Sequence, residues 1–124
     1  MKIRLLLLLL SLFSLATGYA YAQDPVAVAP GKYKLLFENE RVRVLEVQIA
    51  PGETVPTHSH PDHAGYSATA CTLTITGSDG KAQEVSMKEG EALWLKAEAH
   101  SAVNTGKTHC RIAVFELKEP APKM

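Results

Sequence analysis

The chain has 124 residues, of which 46% are hydrophobic and 6% aromatic, and its formal net charge is zero. This length favours a single domain. The absence of a run of basic residues argues against nucleic acid as a partner.

The first segment has the pattern of a secretory signal peptide. Lys2 and Arg4 precede an apolar run over residues 5–15, and Ala20-Tyr21-Ala22 forms a small-residue cleavage site. We therefore predict that residues 1–22 are removed and that the protein is periplasmic or secreted. A retained membrane anchor is the alternative, but a polar segment follows the cleavage site directly. The remaining 102 residues suffice for one compact core, and no other stretch is long and apolar enough to cross a membrane.

The rest of the chain divides into a lead-in, a domain and a tail. Residues 23–36 are rich in proline, alanine and valine and predict an extended lead-in that ends in a short strand from Tyr33. The domain is expected over residues 37–117, and residues 118–124, with two prolines, are expected to form a flexible tail.

Short strands separated by turns dominate the domain. β-branched residues, alternation and turn signals predict strands, in chain order, at 33–37, 41–49, 54–60, a segment ending at 66, 69–76, 82–87, 92–96, 100–104 and 109–117. In the clearest example, Cys71, Leu73 and Ile75 alternate with threonines, which predicts one buried and one wet face. Turns about every eight to twelve residues, without a convincing helix, indicate an all-β sandwich or barrel.

Cys71 and Cys110 are the two cysteines of the chain. An exported protein lies in an oxidising compartment, which favours a disulfide. Both residues also lie in apolar, strand-like runs, where buried free thiols are equally compatible with the sequence. The sequence leaves both alternatives open.

Three of the five histidines fall within residues 58–63. His58 and His60 are two residues apart on a predicted strand, so they project from the same face and can converge on one ligand, as metal ligands do. The following Pro61-Asp62 predicts a turn. His63 then either folds back toward the same point or faces water, and His109 is expected to be a surface residue.

These residues resemble the two motifs of the cupin superfamily. Gly52 is followed after five residues by His58-Ser59-His60, and Gly90 precedes His100 and Asn104. The resemblance spans residues 37–117 and implies a cupin-type antiparallel jelly-roll β-barrel that holds a divalent transition metal, namely Fe, Mn, Cu, Ni or Zn. In that pattern His58, His60 and His100 are the metal ligands.

The sequence departs from the family pattern at the glutamate of the first motif. The corresponding positions are Ala64 and Gly65, so the resemblance implies a three-imidazole set, similar to that of cupins of the thiol dioxygenase type. His63 is a candidate fourth ligand, and Asp62 is a weaker candidate carboxylate.

Three functions are compatible with this resemblance. The first is a small-molecule dioxygenase or isomerase, because three protein ligands leave coordination positions open for substrate. The second is a non-catalytic module that binds a metal or small ligand, which the missing glutamate favours. The third is a scaffold without metal. The expected partners are a small molecule and, by resemblance to small cupins, a second copy in a homodimer. Tyr66 and Trp94 are expected in the core or at the barrel mouth, and Asn104 in a turn.

Overall fold

The computed structural model describes residues 23–118. The predicted signal peptide, residues 1–22, and the predicted tail beyond Lys118 lie outside the described residues. Within residues 23–118 the one helix has four residues, and no helix there is long and apolar enough to span a membrane.

Described residues form one short helix and nine strands. In chain order they are α1 Pro25–Val28, β1 Tyr33–Glu38, β2 Val42–Ile49, β3 Thr54–His60, β4 His63–Ser67, β5 Cys71–Gly77, β6 Ala82–Met87, β7 Ala92–Leu95, β8 Glu98–Asn104 and β9 Cys110–Leu117. Every predicted strand is present, with ends that shift by a few residues.

The N-terminal segment differs from the expected extended lead-in. Asp24 caps α1 by accepting a hydrogen bond from the Val26 N–H at 2.8 Å, and Pro25 occupies the first helical turn, where a missing N–H costs nothing. The Asp24 carboxylate also pairs with Arg43 on β2 through both oxygens. This cap and ion pair fix a helical turn on the barrel where the sequence predicted none.

The strands form two antiparallel sheets. The first has the order β1-β2-β9-β4-β7, and the second has the order β3-β8-β5-β6. Strands that are adjacent in space are mostly distant in the chain, as in a jelly roll. The fold is thus the predicted all-β jelly-roll barrel.

Alternation along the strands sets the core between the two sheets. On β9, Cys110, Ile112, Val114 and Glu116 are buried, whereas the residues between them are exposed or half-buried. Aliphatic side chains from β2, β3, β5 and β8 complete the cluster. Burial of such side chains is the main stabilising contribution to a barrel of this size.

A disulfide joins the two sheets. Cys71 begins β5 in the four-stranded sheet, Cys110 begins β9 in the five-stranded sheet, and their Cα atoms are 5.2 Å apart. Both residues are buried. The structure therefore selects the disulfide over the two free thiols that the sequence left equally open.

The two aromatic residues Tyr66 and Trp94 are neither in the core nor at a barrel mouth. Their outward positions on β4 and β7 leave them 45% and 57% exposed on the outer face of the five-stranded sheet. Asn104 does organise a turn, because its side-chain amide donates to the carbonyls of Ile49 and Thr108 and its oxygen accepts from the Gly106 N–H.

Candidate metal centre

Pairing of β3 with β8 brings the two histidine motifs together. His58 lies directly opposite His100 in the register, and His60 follows on the same face of β3. One ring nitrogen from each of the three histidines lies within 4.8 Å of the others, and all three side chains are buried. Because side chains alternate between the two faces of a strand, His58 and His60 share a face of β3. The pairing of β3 with β8 then places His100 beside them.

The Nδ1 atom of each of these imidazoles is held by an acceptor. His58 Nδ1 donates to the Pro56 carbonyl at 2.7 Å, His60 Nδ1 to Glu116 Oε2 at 2.6 Å, and His100 Nδ1 to Glu98 Oε1 at 2.9 Å. Carbonyl and carboxylate oxygens only accept hydrogen bonds, so Nδ1 carries the hydrogen in each neutral ring. Each Nε2 atom therefore carries a lone pair and no hydrogen, which is the tautomer that ligation of a metal through Nε2 requires.

Burial favours the neutral form of His58, His60 and His63. Removal from water lowers the pKa of His58 to about 4 and that of His60 to about 3, and neighbouring histidines add to the effect. The pKa of His63 is also lowered, mainly by burial. Two of the three ligand candidates are therefore unprotonated at neutral pH, as a metal needs.

These shifts predict how the metal-free protein responds to acid. His58 and His60 have lower pKa values when folded than the ordinary 6.5, so between pH 6.5 and about 4 the unfolded chain binds more protons than the folded one. Stability therefore falls as the pH drops through this window. We expect the melting temperature of metal-free protein, measured by circular dichroism, to decrease steadily from pH 6.5 to 4.5. A constant melting temperature over that range would contradict the buried, neutral histidines.

His63 also points into the barrel. It is buried, its ring centroid lies 4.6 Å from that of His60, and its Nδ1 donates to the Pro61 carbonyl at 2.7 Å. It is not part of the group whose nitrogens lie within 4.8 Å of one another. His63 therefore faces into the barrel and not toward water. A role for His63 as a fourth metal ligand stays a prediction. Asp62 is exposed and accepts from the Ala97 N–H.

Glu116 supports the centre from β9 and was not identified from the sequence. One carboxylate oxygen accepts from His60, and the other lies 3.3 Å from Arg43 Nε. Burial raises the pKa of Glu116, while Arg43 opposes that shift. Such an outer carboxylate orients a ligating imidazole and raises its basicity. The available signal was a glutamate in the inward register of a strand whose other inward residues are apolar.

Tyr33 is a second residue that the sequence did not reveal as part of the centre. Its hydroxyl oxygen lies 3.3 Å from His58 Nε2 and 3.5 Å from His60 Nε2. The side chain is 6% exposed, and burial raises its pKa. Glu98 on β8 is likewise part of the centre through its hydrogen bond with His100.

Two spaces adjoin the histidines. Inside the barrel, a cavity of about 70 Å³ is lined by Tyr33, His60, His63, His100 and aliphatic side chains. Outside it, an open groove of about 1040 Å³ borders His60 and carries the charged residues Asp24, Arg43 and Glu116. The inner cavity has room for a few water-sized groups, so a small ligand can lie beside the imidazoles.

The donor set fits a divalent metal. Three imidazoles whose Nδ1 atoms are fixed by hydrogen bonds and whose Nε2 atoms carry lone pairs are typical of sites for first-row transition ions. An all-β barrel with this constellation at its centre defines a class of small metal-site jelly rolls.

Within that class, the sequence matches the cupin domain family over residues 45–116. The chain belongs to the cupin family. No curated protein matches it.

Solved cupin structures share the fold. A cupin domain from Bordetella pertussis Tohama I is 22% identical with a TM-score of 0.64, over 70% of this chain and 92% of that one. An RmlC-like cupin with a double-stranded β-helix fold from Methanocaldococcus jannaschii is 17% identical with a TM-score of 0.55, over 68% and 77%. The polyketide cyclase RemF from Streptomyces resistomycificus is 25% identical with a TM-score of 0.52, over 73% and 66%.

Proposed function

We propose that this cupin binds a divalent transition metal through His58, His60 and His100 and presents it to a small molecule in an exported compartment. The observation that carries the proposal is the pattern of hydrogen bonds at the imidazoles. Each Nδ1 is held by an oxygen acceptor, and one ring nitrogen from each histidine lies within 4.8 Å of the others. A histidine cluster that served packing alone would not need all three rings in the same tautomer.

A bound ion would act as a Lewis acid and, if redox-active, would allow oxygen chemistry. The residues of the chain supply the rest of the site. Glu116 and Glu98 hold two of the rings, and aliphatic side chains line the inner cavity beside the imidazoles. A small-molecule dioxygenase or isomerase is the catalytic function that this arrangement supports. The likeness to a polyketide cyclase adds support for small-molecule chemistry.

A non-catalytic binding module is the second candidate. Ala64 and Gly65 stand where the family pattern has a glutamate, and β4 brings no carboxylate to the centre. A site that only stores or presents an ion does not need that group. Turnover of candidate substrates by the metal-loaded protein, compared with metal-free protein, distinguishes the two functions.

Metal binding predicts a large thermal shift. A ligand that binds only the folded state at about 100 times its dissociation constant adds about 2.7 kcal/mol to the free energy of unfolding. For a domain of this size, that corresponds to a rise of about 10–20 °C in melting temperature. We expect chelator-treated protein to show this rise with at least one of Fe²⁺, Mn²⁺, Ni²⁺, Cu²⁺ and Zn²⁺, and none with Mg²⁺. Equal melting temperatures with and without all five ions would contradict the proposal.

Export is supported by the disulfide between Cys71 and Cys110. Such bonds persist in the periplasm and outside the cell and are rare in the reducing cytosol. The signal-like segment at residues 1–22 agrees with this location.

We also propose a homodimer that uses the outer face of the five-stranded sheet. One cross-strand row on this face runs through Phe37, Val44, Phe115, Ala64 and Trp94. Its three aromatic residues are between 42% and 57% exposed, and a contiguous row of exposed apolar side chains is a feature of association sites. Large and small side chains alternate along the row. Two copies offset by one strand can therefore interdigitate, which favours a second copy as the partner.

The dimer predicts a change of mass on substitution. We expect light scattering of wild-type protein eluted from a size-exclusion column to give twice the chain mass. The Trp94→Lys and Phe115→Lys variants should give the monomer mass, because a buried unpaired charge opposes association. Glu84→Lys, an exposed position on the other sheet, is the matched control and should remain dimeric. A monomeric wild-type protein at micromolar concentration would refute the dimer.

A further inference from the structure

Tyr33 directs its hydroxyl into the histidine cluster from a different strand. The oxygen lies 3.3 Å from His58 Nε2 and 3.5 Å from His60 Nε2, and these nitrogens are its hydrogen-bond partners among the described residues. Tyr33 begins β1, outside both histidine motifs and outside residues 45–116 that match the cupin family. Neither the motifs nor the family match therefore assigns it a role.

The Tyr33 hydroxyl must change its hydrogen-bond partner when an ion binds to the histidines. The Nδ1 hydrogens of His58 and His60 are donated to oxygens, so their Nε2 atoms carry lone pairs and no hydrogen. In the metal-free protein the Tyr33 hydroxyl donates to one of these lone pairs. A metal ion takes both of them. The buried hydroxyl is then left without an acceptor, which is unfavourable.

The distances from the Tyr33 oxygen to the two Nε2 atoms indicate that a bond to the ion can replace that hydrogen bond. Two ligands that each lie about 2.1 Å from one ion at a tetrahedral angle are about 3.4 Å apart. The separations of the Tyr33 oxygen from the two Nε2 atoms, 3.3 and 3.5 Å, match this value. The Tyr33 oxygen thus lies as far from these two nitrogens as a neighbouring ligand of the same ion would.

We propose that Tyr33 is a fourth metal ligand, bound as the phenolate, which supplies the anionic oxygen that Ala64 and Gly65 cannot provide. The inference rests on the proposed metal-binding function. The O–H bond breaks as the oxygen–metal bond forms, the proton passes to solvent, and no oxidation state changes. The charge of the ion stabilises the phenolate, as metals do for other bound acids.

Visible spectroscopy of the metal-loaded protein tests the proposal. Phenolate ligands give Cu²⁺ and Fe³⁺ an intense visible charge-transfer band that imidazole ligands do not. We expect this band in the wild-type protein loaded with either ion, and in Tyr66→Phe, whose ring is exposed on the outer face of the sheet. We expect it to be absent in Tyr33→Phe, which should bind the ion at least about tenfold more weakly in a chelator competition.

Each outcome decides the question. A wild-type protein that binds the ion without the band, or a Tyr33→Phe variant that retains the band, overturns the ligand role while the metal site stands. Weaker binding by Tyr33→Phe without a wild-type band also overturns it, and assigns the hydroxyl to a hydrogen bond with a metal-bound molecule. If the wild-type protein binds no ion, both this inference and the proposed function fail. Should Tyr33→Phe not fold, phenolate ring vibrations in the resonance Raman spectrum of the wild-type protein give the same decision.

Discussion

Replacing His100 with alanine is expected to weaken the binding of a divalent transition ion by more than about 100-fold. His100 is the ligand from the second motif, is buried, and lies opposite His58 in the pairing of β3 with β8. Loss of residues that only orient a ligand costs about 10- to 100-fold in affinity, and loss of the ligand itself should cost more. Competition with a chromophoric chelator measures the change.

The matched control for His100→Ala is His109→Ala. His109 is exposed, and its ring contacts Gln48 on the barrel surface, so its loss should leave metal affinity unchanged. Circular dichroism of both metal-free variants confirms that the barrel is folded. Wild-type affinity in His100→Ala, or an equal loss in both variants, would show that the three histidines do not act as one site.

Removing the disulfide is expected to destabilise the barrel by about 4 kcal/mol. Cys71 and Cys110 are 39 residues apart in sequence, and the bond ties the two sheets together. A closed loop of this length restricts the unfolded chain by about that free energy. The double variant Cys71→Ala, Cys110→Ala should therefore melt about 15–30 °C below the wild-type protein.

Two measurements accompany the disulfide prediction. Alkylation of the unfolded wild-type protein without reductant should label neither cysteine, and alkylation after reduction should label both. The melting temperature of reduced wild-type protein should be close to that of the double variant. This comparison distinguishes the effect of losing the disulfide from the effect of losing the cysteine side chains. Equal melting temperatures for oxidised wild-type protein and the double variant would contradict the stabilising role of the bond.

The strands and the histidine pair could be predicted because both depend on local pattern. Alternation along a strand decides which side chains point inward, so the convergence of His58 and His60 follows from their spacing alone. The jelly-roll order of the strands came from the resemblance to cupins, and the described sheets agree with it. Helix α1 has four residues, too few for a periodic signal, and forms because Asp24 caps it and pairs with Arg43.

The supporting residues of the site could not be predicted, because they depend on which strands meet. Glu116 reaches His60 across 56 positions of sequence, and Tyr33 reaches His58 across 25. The inward register of β9 indicates a buried carboxylate at Glu116 but not its partner, and nothing near Tyr33 in the chain indicates a partner. The sequence also left open whether Cys71 and Cys110 form a disulfide, because that depends on which strands meet. Residue type alone also failed to predict the position of Trp94. A large aromatic side chain usually packs inside a protein, but Trp94 faces outward from β7.

The most direct test of the central claim is elemental analysis of the purified protein beside the His58→Ala, His60→Ala double variant. Both proteins are first treated with chelator and then reconstituted with a mixture of divalent transition ions. We expect about one ion per wild-type chain and none in the variant, because the variant lacks two of the three imidazoles whose ring nitrogens lie within 4.8 Å of one another. Metal-free wild-type protein after reconstitution, or equal metal content in both proteins, would contradict the three-histidine metal centre.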